Sequence, residues 1–507
     1  MIPQPKAVID KGGYVAIKSP APTTSIDDSL PSEAYILDID ASEDGKVHVT
    51  GGSAAGVFYG IQTFRQRLPP SLLRRGSSAT GPWELPAQQI HDRPRFAWRG
   101  VMLDVARHFM PLHDVLRFID LAAFHKFNVL HLHLTDDQGW RLPIDGWPQL
   151  TVVGCWRRRT MQGSAQHELY DKRPHGGFYS RADLEEVVAF ASERHMTVVP
   201  EIDMPGHMQA AVASYPELGN GAEVGVMEEW GISEHVLNMS DKTLGFCRDV
   251  LTTVCDIFPS EFIGIGGDEC PHNEWKANPD VQRRMKELGL PDEDALHGWF
   301  VTQMASHLRS LGRRAFGWDE LLACGDGIPA DTRIAGWRGI EPIKMAAQRG
   351  FEVIACPDTA AYLDKRQSED KNEPTPIGTV LTPEDIFAYE PVPAGLSKDE
   401  AGKVIGVQAN VWTEHMESMR RVEYMAYPRL CAFAEVAWGK SKEDDTVAGF
   451  QDRLKHHVLY LDALGVNYRP LTGPRPWDAR PDAPGKPRTM EYRMAKQSKF
   501  IADLLKH

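Results

Sequence analysis

The sequence predicts an α/β protein in which a (β/α)8 TIM barrel follows a small α/β domain with an antiparallel sheet. Two observations predict the barrel. Eight apolar stretches with the length of buried strands occur after residue 97, and helical patterns separate most of them. A chain of 507 residues is also long enough for a barrel with additions. The predicted strands are 98–105, 129–134, 197–202, 262–265, 314–316, 333–336, 352–355 and 404–411.

The helices between these strands are predicted from apolar residues that recur at helical spacing, a pattern typical of a helix face in the core. One of them begins with a capping box formed by Ser180 and Asp183. The four apolar stripes are Val115, Phe118, Ile119 and Ala122; Leu184, Val187, Val188 and Ala191; Leu244, Cys247, Leu251 and Val254; and Ala426, Leu430, Phe433 and Ala434.

A doubly wound parallel sheet is the alternative fold for alternating strands and helices. That fold is expected to show a glycine-rich phosphate-binding turn early in the chain, and none is present. The sequence Gly264-x-Gly266-Gly267 lacks the third glycine of a dinucleotide-binding turn, and two acids stand where a helix should begin. The barrel is therefore the better prediction.

We divide the chain into a small N-terminal α/β domain (1–92), the barrel (93–465) and a C-terminal part with an extended tail and a short helix (466–507). In the first part, two strands are predicted on either side of Asp44-Gly45, a hairpin turn signal, and a helix follows over 56–68. Residues 68–86 are rich in Pro, Ser and Gly and predict a linker. In the tail, residues 491–507 predict a short basic helix.

Composition and charge disfavour several classes of function. Lys and Arg total 56 against 70 Asp and Glu, and a net charge of −14 disfavours non-specific binding to nucleic acid or to an anionic membrane. Seven scattered cysteines without a CxxC pair indicate neither a disulfide framework nor a zinc site. Residues 1–6 show no signal-peptide pattern, so we expect a cytoplasmic protein with reduced thiols.

The stretch from Phe262 to Glu269 is the most informative part of the sequence. An apolar run ends in Gly266 and Gly267, and two carboxylates, Asp268 and Glu269, follow directly. Glycines allow the backbone to turn and to approach a ligand closely. An ionised Asp beside a Glu helps the Glu to keep its proton, which suits a general acid. Taken alone, the stretch also fits a strand that ends in an acidic turn.

The other strand ends favour the functional interpretation. In a TIM barrel the chemistry lies at the C-terminal ends of the strands, and all eight predicted strands are followed there by polar or aromatic residues. These are residues 104–108 and 135–141, residues 203–207, Asp268 and Glu269, Trp318 with Asp319 and Glu320, Trp337 with Arg338, Tyr362 with Asp364, and residues 412–415.

The residue types at these ends fit one class of ligand. Tryptophans offer apolar faces for the C–H face of a sugar or for a methyl group. Charged side chains offer fixed hydrogen bonds to hydroxyl groups. Together with Glu269 as an acid in the middle, they predict a monosaccharide pocket. The tryptophans are Trp318, Trp337 and Trp412, and the charged residues are Arg107, Asp364 and Glu414.

At this point the chain resembles family 20 glycoside hydrolases, in particular bacterial β-N-acetylhexosaminidases. The matching motifs are residues 98–109, 131–141, 201–207, 266–269 and 408–414. Two positions depart from the family pattern. The family usually has His or Asn at the position of Gly264, and Cys270 directly after Glu269 is unusual. For Cys270 a small buried thiol is favoured over a reactive one.

The resemblance implies a retaining, exo-acting enzyme that removes terminal β-linked GlcNAc or GalNAc by substrate-assisted catalysis. Adjacent carboxylates in extended chain point to opposite sides, so Asp268 and Glu269 cannot easily serve as nucleophile and acid on one anomeric carbon. In the family's mechanism, the substrate's acetamido oxygen attacks instead and forms an oxazolinium ion. Glu269 is then the acid and base, and Asp268 accepts a hydrogen bond from the acetamido N–H.

The resemblance also implies roles for the remaining site residues. Tyr362 donates a hydrogen bond to the acetamido oxygen, Asp203 and His207 form a supporting dyad that tunes Glu269, and Asp137 and Glu201 support the site from behind, with Asp137 counted among the substrate-binding residues. The tryptophans enclose the acetamido group and the sugar face. Arg107, Asp364 and Glu414 hold the terminal hydroxyls.

We expect no cofactor and no metal, and an oligosaccharide substrate that ends in N-acetylhexosamine. Chitin fragments, cell-wall fragments and host glycans all fit, and the sequence makes no prediction of oligomeric state.

Three alternative functions remain. A metal-dependent amidohydrolase would explain His131 and His133, but it needs further histidines at Trp318 and Trp337. A non-catalytic sugar-binding barrel has no need of the acid pair. A conventional β-glucosidase needs a distant carboxylate nucleophile.

Overall fold

The computed structural model describes residues 1–17, 21–41, 46–76, 81–439 and 445–504. The chain begins with a five-stranded sheet that carries one helix, Ala54–Arg65. The order across the sheet is β1-β5-β3-β4-β2; β2 runs parallel to β4 and all other neighbours are antiparallel. Its strands are β1 (Ala7–Ile17), β2 (Thr23–Ile26), β3 (Tyr35–Asp40), β4 (Lys46–Gly51) and β5 (Trp83–Asp92).

Two features of this sheet differ from the sequence-based expectation. The end of the predicted linker 68–86 belongs to β5, which lies in the sheet between β1 and β3. Strand β1 was not predicted, because most of its side chains are exposed and it therefore lacks an alternating apolar pattern. Strands β3 and β4 do pair as an antiparallel hairpin, while the predicted turn at Asp44-Gly45 lies outside the described residues.

Eight parallel strands then close into a barrel, which confirms the predicted fold class. The last strand pairs with the first, Gln408 opposite Gly100, so that the sheet has no free edge. All eight strands are buried on both faces along most of their length, and this explains their nearly continuous apolar sequences. The barrel strands are β6 (Trp98–Asp104), β7 (Val129–His133), β8 (Thr197–Glu201), β9 (Phe262–Gly264), β10 (Arg314–Trp318), β11 (Arg333–Gly336), β12 (Glu352–Ala355) and β13 (Val404–Val411).

The helices around the barrel carry the predicted apolar stripes. The capping box of Ser180 and Asp183 is present, and the last predicted stripe is divided between two helices at Pro428, whose ring cannot continue a helix. None of the helices in the described ranges combines the length and apolar character needed to cross a bilayer. The α-helices are Leu112–Phe124, Arg181–Ser192, Gln209–Ser214, Asp241–Ile257, Asn273–Ala277, Pro279–Glu287, Glu293–Ser310, Ile340–Gln348, Asp358–Ala361, Pro383–Ala388, Lys398–Ala401, Met419–Ala426, Arg429–Trp438, Val447–Ala463 and Met490–Leu504.

Shorter elements fill the connections between strands and helices. Two small antiparallel ribbons follow β7; one pairs Thr135–Asp136 with Gly139–Trp140, and the other pairs Trp156–Arg157 with His175–Gly176. The 3-10 turns are Pro70–Leu73, Pro148–Thr151, Ala165–His167, Pro216–Leu218 and Asp319–Gly327.

A buried ionic cluster joins the N-terminal sheet to the barrel. The carboxylate of Asp92, at the end of β5, accepts hydrogen bonds from Lys126 (3.1 Å), the hydroxyl of Tyr35 (2.6 Å) and the indole of Trp438 (2.9 Å). Burial lowers the pKa of Lys126, although the charge of Asp92 opposes the shift. Asp92 is the carboxylate that pairs directly with this buried ammonium group.

We expect Asp92→Ala to lower the free energy of unfolding by about 3–5 kcal/mol, because it leaves the Lys126 ammonium buried without its partner. Denaturant unfolding followed by tryptophan fluorescence measures the change. Asp38→Ala is the matched control, since Asp38 pairs with Lys11 where both side chains are about 30% exposed, and should cost less than about 1 kcal/mol. Equal losses in the two variants would show that the cluster does not stabilise the junction.

Candidate active site

The carboxyl ends of the barrel strands open into a cavity of about 330 Å³. Loops after the strands supply most of its walls, as expected for a TIM barrel. Residues from the chain after the barrel complete the walls on one side. From the strand ends and the loops after them come Arg107, Asp136, Asp203, His207, Asp268, Glu269, Trp337, Asp358, Tyr362, Asp364, Lys365, Gly378, Thr379, Trp412 and Glu414, and from the later chain come Arg488, Tyr492, Arg493 and Lys496.

The acid pair is positioned by a turn that only glycines allow. Gly266 and Gly267 both have positive φ, +62° and +87°. A side-chain carbon at Gly266 would collide with the carboxylate of Asp203. The same turn lets the backbone N–H of Gly267 donate to Asp203 Oδ1 at 3.1 Å. The two glycines therefore bring the end of β9 into direct contact with the end of β8.

The departure from the family pattern at Gly264 has a local explanation. A side-chain carbon at Gly264 would lie 2.7 Å from Cβ of Glu201, so the side chain of Glu201 already occupies that space. Burial raises the pKa of the Cys270 thiol well above its usual range. This favours the interpretation of Cys270 as an inert buried thiol.

Asp268 lies deep in the site and lacks a partner for one oxygen. The residue is 7% exposed, and its Oδ1 has no hydrogen-bond partner among the residues that the structure describes. Burial raises the pKa of Asp268 well above its usual range, and the neighbouring carboxyl of Asp203 raises it further. Burial also raises the pKa of Asp203, and a carboxyl oxygen of Asp203 lies within 4.8 Å of one of Asp268. Each carboxyl therefore disfavours ionisation of the other.

Glu269 lies at the wall of the cavity next to His207. Its side chain is 26% exposed, and its Oε2 is 3.8 Å from Nε2 of His207. Burial acts to raise the pKa of Glu269, but the positive charge of nearby His207 outweighs it and brings the pKa below the usual value. Burial acts to lower the pKa of His207, while Asp136 raises it well above the usual range. These opposite shifts favour an ionised Glu269 beside a cationic His207.

The expected dyad of Asp203 and His207 differs from the observed contacts. His207 Nδ1 bonds to Asp136 Oδ1 and Asp137 Oδ2, each at 3.2 Å. Asp203 instead accepts a hydrogen bond from the backbone N–H of Gly267, and its carboxyl lies within 4.8 Å of both Asp268 and His207 without a direct hydrogen bond to either. Asp136 and Asp137 therefore orient the imidazole of His207, and Asp203 acts on Asp268.

Asp137 does not reach the cavity, which corrects its prediction as a substrate-binding residue. Its side chain is fully buried and accepts hydrogen bonds from His207 and from the backbone N–H groups of Gln209 (3.0 Å) and Ser233 (3.3 Å). The neighbouring Asp136 lines the cavity instead. Asp137 holds the loop after β8 in place.

Aromatic rings form one side of the cavity. Tyr362 lies between Trp337 and Trp412, with ring centroids 6.1 and 6.2 Å away. The indole N–H of Trp337 donates to Glu320 at 3.0 Å, which fixes the orientation of its ring. Trp318 is 1% exposed and packs behind Trp412, at a centroid distance of 5.8 Å. Trp318 therefore supports the aromatic wall from below.

The remaining predicted residues, Arg107, Asp364 and Glu414, lie together in the cavity wall. Arg107 donates to Asp136 (2.8 Å) and to Gln138 (3.1 Å), and its guanidinium stacks 4.9 Å from the ring of Trp412. Burial raises the pKa of Glu414 to about 7, against the opposing charge of Arg107. The Oδ1 atom of Asp364 is buried without a hydrogen-bond partner in the described ranges. This part of the cavity presents donors and acceptors suited to hydroxyl groups.

His131 and His133 are core residues bonded to one carboxylate. Both are fully buried and contact Oε2 of Glu201, at 2.9 and 2.5 Å. The second nitrogen of His133 bonds to Asp136 at 2.8 Å. Burial acts to lower the pKa of His133, but Glu201 and Asp136 raise it to about 10. These contacts pair both ring nitrogens of His133 and one of His131 with carboxylates.

Several cavity residues were not predicted from the sequence. Asp136 and Asp137 are adjacent in the sequence, and which of them faces the cavity depends on the direction of the chain after β7. Lys365 and Asp358 come from the segment around Tyr362. The residues of the tail carry no motif, although the basic character of its helix was visible in the sequence.

Two family models match the chain over most of its length. The catalytic domain of glycosyl hydrolase family 20 matches residues 96–441, and domain 2 of the same family matches residues 2–93. The first of these covers more than half of the chain.

Curated relatives agree with this match. The chain is 38% identical to a β-hexosaminidase of Porphyromonas gingivalis, over 87% of this chain and 56% of the relative. It is 37% identical to a β-hexosaminidase of Vibrio furnissii, over 80% and 65% of the two chains. This chain thus spans less than two thirds of either relative. A β-hexosaminidase of Akkermansia muciniphila is 35% identical, over 81% and 80%.

Solved structures give the same result for the fold. The family 20 exo-β-N-acetylglucosaminidase of Vibrio harveyi, solved in complex with N-acetylglucosamine, is 29% identical with a TM-score of 0.80, over 94% of this chain and 78% of that chain. The family 20 β-N-acetylhexosaminidase of Streptomyces coelicolor A3(2) is 30% identical with a TM-score of 0.77, over 93% and 98%. With its motifs, its fold and the match to both family models, the chain belongs to glycosyl hydrolase family 20.

Proposed function

We propose that this chain is a β-N-acetylhexosaminidase that removes terminal, β-linked GlcNAc or GalNAc by retaining, substrate-assisted catalysis. One observation carries the proposal: the carboxyl next to the acid Glu269 is the buried Asp268, which lies within 4.8 Å of the carboxyl of Asp203 and has one unpartnered oxygen in the described structure. Such a carboxyl is a poor nucleophile. It is well placed to accept a hydrogen bond from an acetamido N–H.

The proposed first step uses the acetamido group of the substrate as the nucleophile. Its carbonyl oxygen forms a bond to the anomeric carbon while the bond from that carbon to the leaving oxygen breaks. The electron pair of the broken bond goes to the leaving oxygen, which takes a proton from Glu269. The product of this step is an oxazolinium ion with a positive charge near its nitrogen, and the carboxylate of Asp268 stabilises that charge.

Glu269 obtains the proton for this step from His207. The bound sugar and leaving group remove water from Glu269, and this favours its neutral form. The pair of Glu269 and His207 holds one proton, so the proton can pass to Glu269 when substrate covers it. In the second step the ionised Glu269 takes a proton from water as the water attacks the anomeric carbon and reopens the ring.

The aromatic wall supports this mechanism by holding the acetamido group against the anomeric carbon. Trp337, Tyr362 and Trp412 give a flat apolar surface for the methyl group and the sugar face, and the hydroxyl of Tyr362 donates to the acetamido oxygen. Arg107, Asp364 and Glu414 bind the terminal hydroxyls. A sugar whose outer hydroxyls are held in this way has no room for a further residue there, which makes the activity exo-acting.

The substrate's acetamido group is the first target for a test. We expect kcat/KM for nitrophenyl N-acetyl-β-glucosaminide to exceed that for nitrophenyl β-glucoside by at least about 10³-fold, because the glucoside lacks the internal nucleophile. Both substrates have the same leaving group, so the ratio reports the acetamido group alone. Comparable values would reject the substrate-assisted mechanism.

The two acids should also respond differently to the leaving group. We expect Glu269→Gln to lower kcat/KM about 10²–10⁴-fold for a disaccharide but much less for dinitrophenyl N-acetyl-β-glucosaminide, whose leaving group needs no proton. Asp268→Asn should lower both values, because it acts on the oxazolinium ion. Glu185→Gln, on an exposed helix, is the control and should change neither. If Asp268→Asn behaves like this control, its proposed role is wrong.

A further inference from the structure

The C-terminal helix, Met490–Leu504, forms part of the wall of the candidate active site. Tyr492, Arg493 and Lys496 line the cavity, together with Arg488 just before the helix. None of these residues belongs to the motifs that carry the family resemblance. The tail therefore adds a wall that is independent of the barrel strands.

Specific contacts fix this helix to the barrel. Gln497 donates to Asp358 Oδ1 at 2.8 Å, and Arg493 forms an ion pair with the same carboxylate. The ring of Phe500 packs 6.2 Å from the ring of Trp337. These contacts hold one face of the helix towards the site.

That face is basic, and two of its cations form no ion pair with the described residues. Asp358 pairs with Arg493, and it also lies 3.5 Å from Lys365. Arg488 and Lys496 form no ion pair with any residue that the structure describes; Arg488 stacks on Tyr492, and Lys496 lies 5.1 Å from the ring of Phe500. An anion that enters the cavity would find these two charges available.

The position of these cations relative to Glu269 identifies what they can contact. Glu269 and Lys496 line both the main cavity and an adjoining cavity of about 490 Å³. If the sugar being removed is held by Arg107, Asp364 and Glu414, the leaving group lies beyond Glu269, which protonates its oxygen. The helix is the wall on that side.

The adjoining cavity itself is unsuited to an anion. Its lining contains four acids, Glu234, Glu269, Asp294 and Glu320, against the two cations Arg338 and Lys496. A negatively charged leaving group is therefore directed to the helix face, between Arg488 and Lys496, rather than into this second space.

We propose that the basic face of Arg488, Arg493 and Lys496 selects substrates whose leaving group is an acidic sugar, with a carboxylate or a sulfate on the residue next to the scissile bond. The inference rests on the proposed function, because it takes Glu269 as the acid. It concerns which glycoside is preferred and not how the bond is broken.

A matched pair of disaccharides tests the proposal. One has GlcNAc β-linked to O4 of glucuronate, and the other has the same linkage to glucuronamide, which is neutral and of the same size. A second pair replaces the uronate with glucose sulfated at its primary hydroxyl and with plain glucose, which separates sulfate from carboxylate. We expect kcat/KM to be about tenfold or more higher for the anion in at least one pair. Raising the salt concentration from about 0.05 to about 0.5 M should reduce this ratio.

Variants assign the effect to the helix face. Lys496→Gln and Arg488→Gln should each lower the ratio of anionic to neutral kcat/KM, whereas Lys499→Gln, a lysine of the same helix that lines neither cavity, should leave it unchanged. If Lys496 served only to tune Glu269, its loss would change both members of a pair equally. The ratio therefore distinguishes selection from tuning.

The outcomes separate this proposal from the function on which it rests. Equal kcat/KM for the charged and neutral members of both pairs would overturn the proposal, and so would an anionic-to-neutral ratio that both variants leave unchanged. In either case, hydrolysis of nitrophenyl N-acetyl-β-glucosaminide would show that the proposed function still holds. Failure to hydrolyse that glycoside as well would overturn both.

Discussion

The carboxylate of Asp136 is the interaction on which the rest of the site depends. It is fully buried and contacts three cations at once: Arg107 at 2.8 Å, His133 at 2.8 Å and His207 at 3.2 Å. Through Arg107 it fixes the end of the cavity that receives hydroxyl groups, through His133 it connects to Glu201 in the barrel core, and through His207 it reaches Glu269. The carboxylate of Asp136 thus sets the geometry of three separate parts of the site. The pKa of Asp136 lies well below the usual range, because these cations outweigh the effect of burial.

In contrast to Asp136, the pair of Asp203 and Asp268 is incompletely hydrogen-bonded, since Oδ1 of Asp268 has no partner among the described residues. Two buried carboxyls within 4.8 Å of each other oppose each other's ionisation, and such an arrangement costs stability unless function benefits from it. The pair gains its partner only when a ligand supplies an N–H group and, later, a positive charge. In our proposal the buried carboxyls are therefore better compensated with the reacting sugar bound than without it, and best compensated when that sugar carries a positive charge.

The sequence predicted the parts of the molecule that follow from local patterns. Buried strands give apolar runs, so the eight barrel strands could be located, and the barrel fold places their ends at one rim, which brought Glu269, Trp412 and Arg107 together in the prediction. No comparable pattern in the sequence predicts the direction of a side chain within a loop. Asp136 and Asp137 are adjacent after β7, and the sequence predicted Asp137 as the substrate-binding residue, whereas Asp136 faces the cavity. Likewise, Trp318 and Trp337 look alike in sequence, but Trp337 lines the cavity, whereas Trp318 packs behind Trp412. Contacts of the tail are far apart in sequence and left no periodic signal.

The way in which the C-terminal helix is attached has a consequence for how specificity can diverge. In our proposal the residues that face a leaving group lie on one continuous segment, docked through Asp358 and Trp337, whereas the residues proposed for bond cleavage are distributed over the barrel strands. A few substitutions within that single segment would therefore change which glycoside is preferred without replacing any residue proposed to transfer a proton. Leaving-group preference and bond cleavage would then be open to change independently of each other.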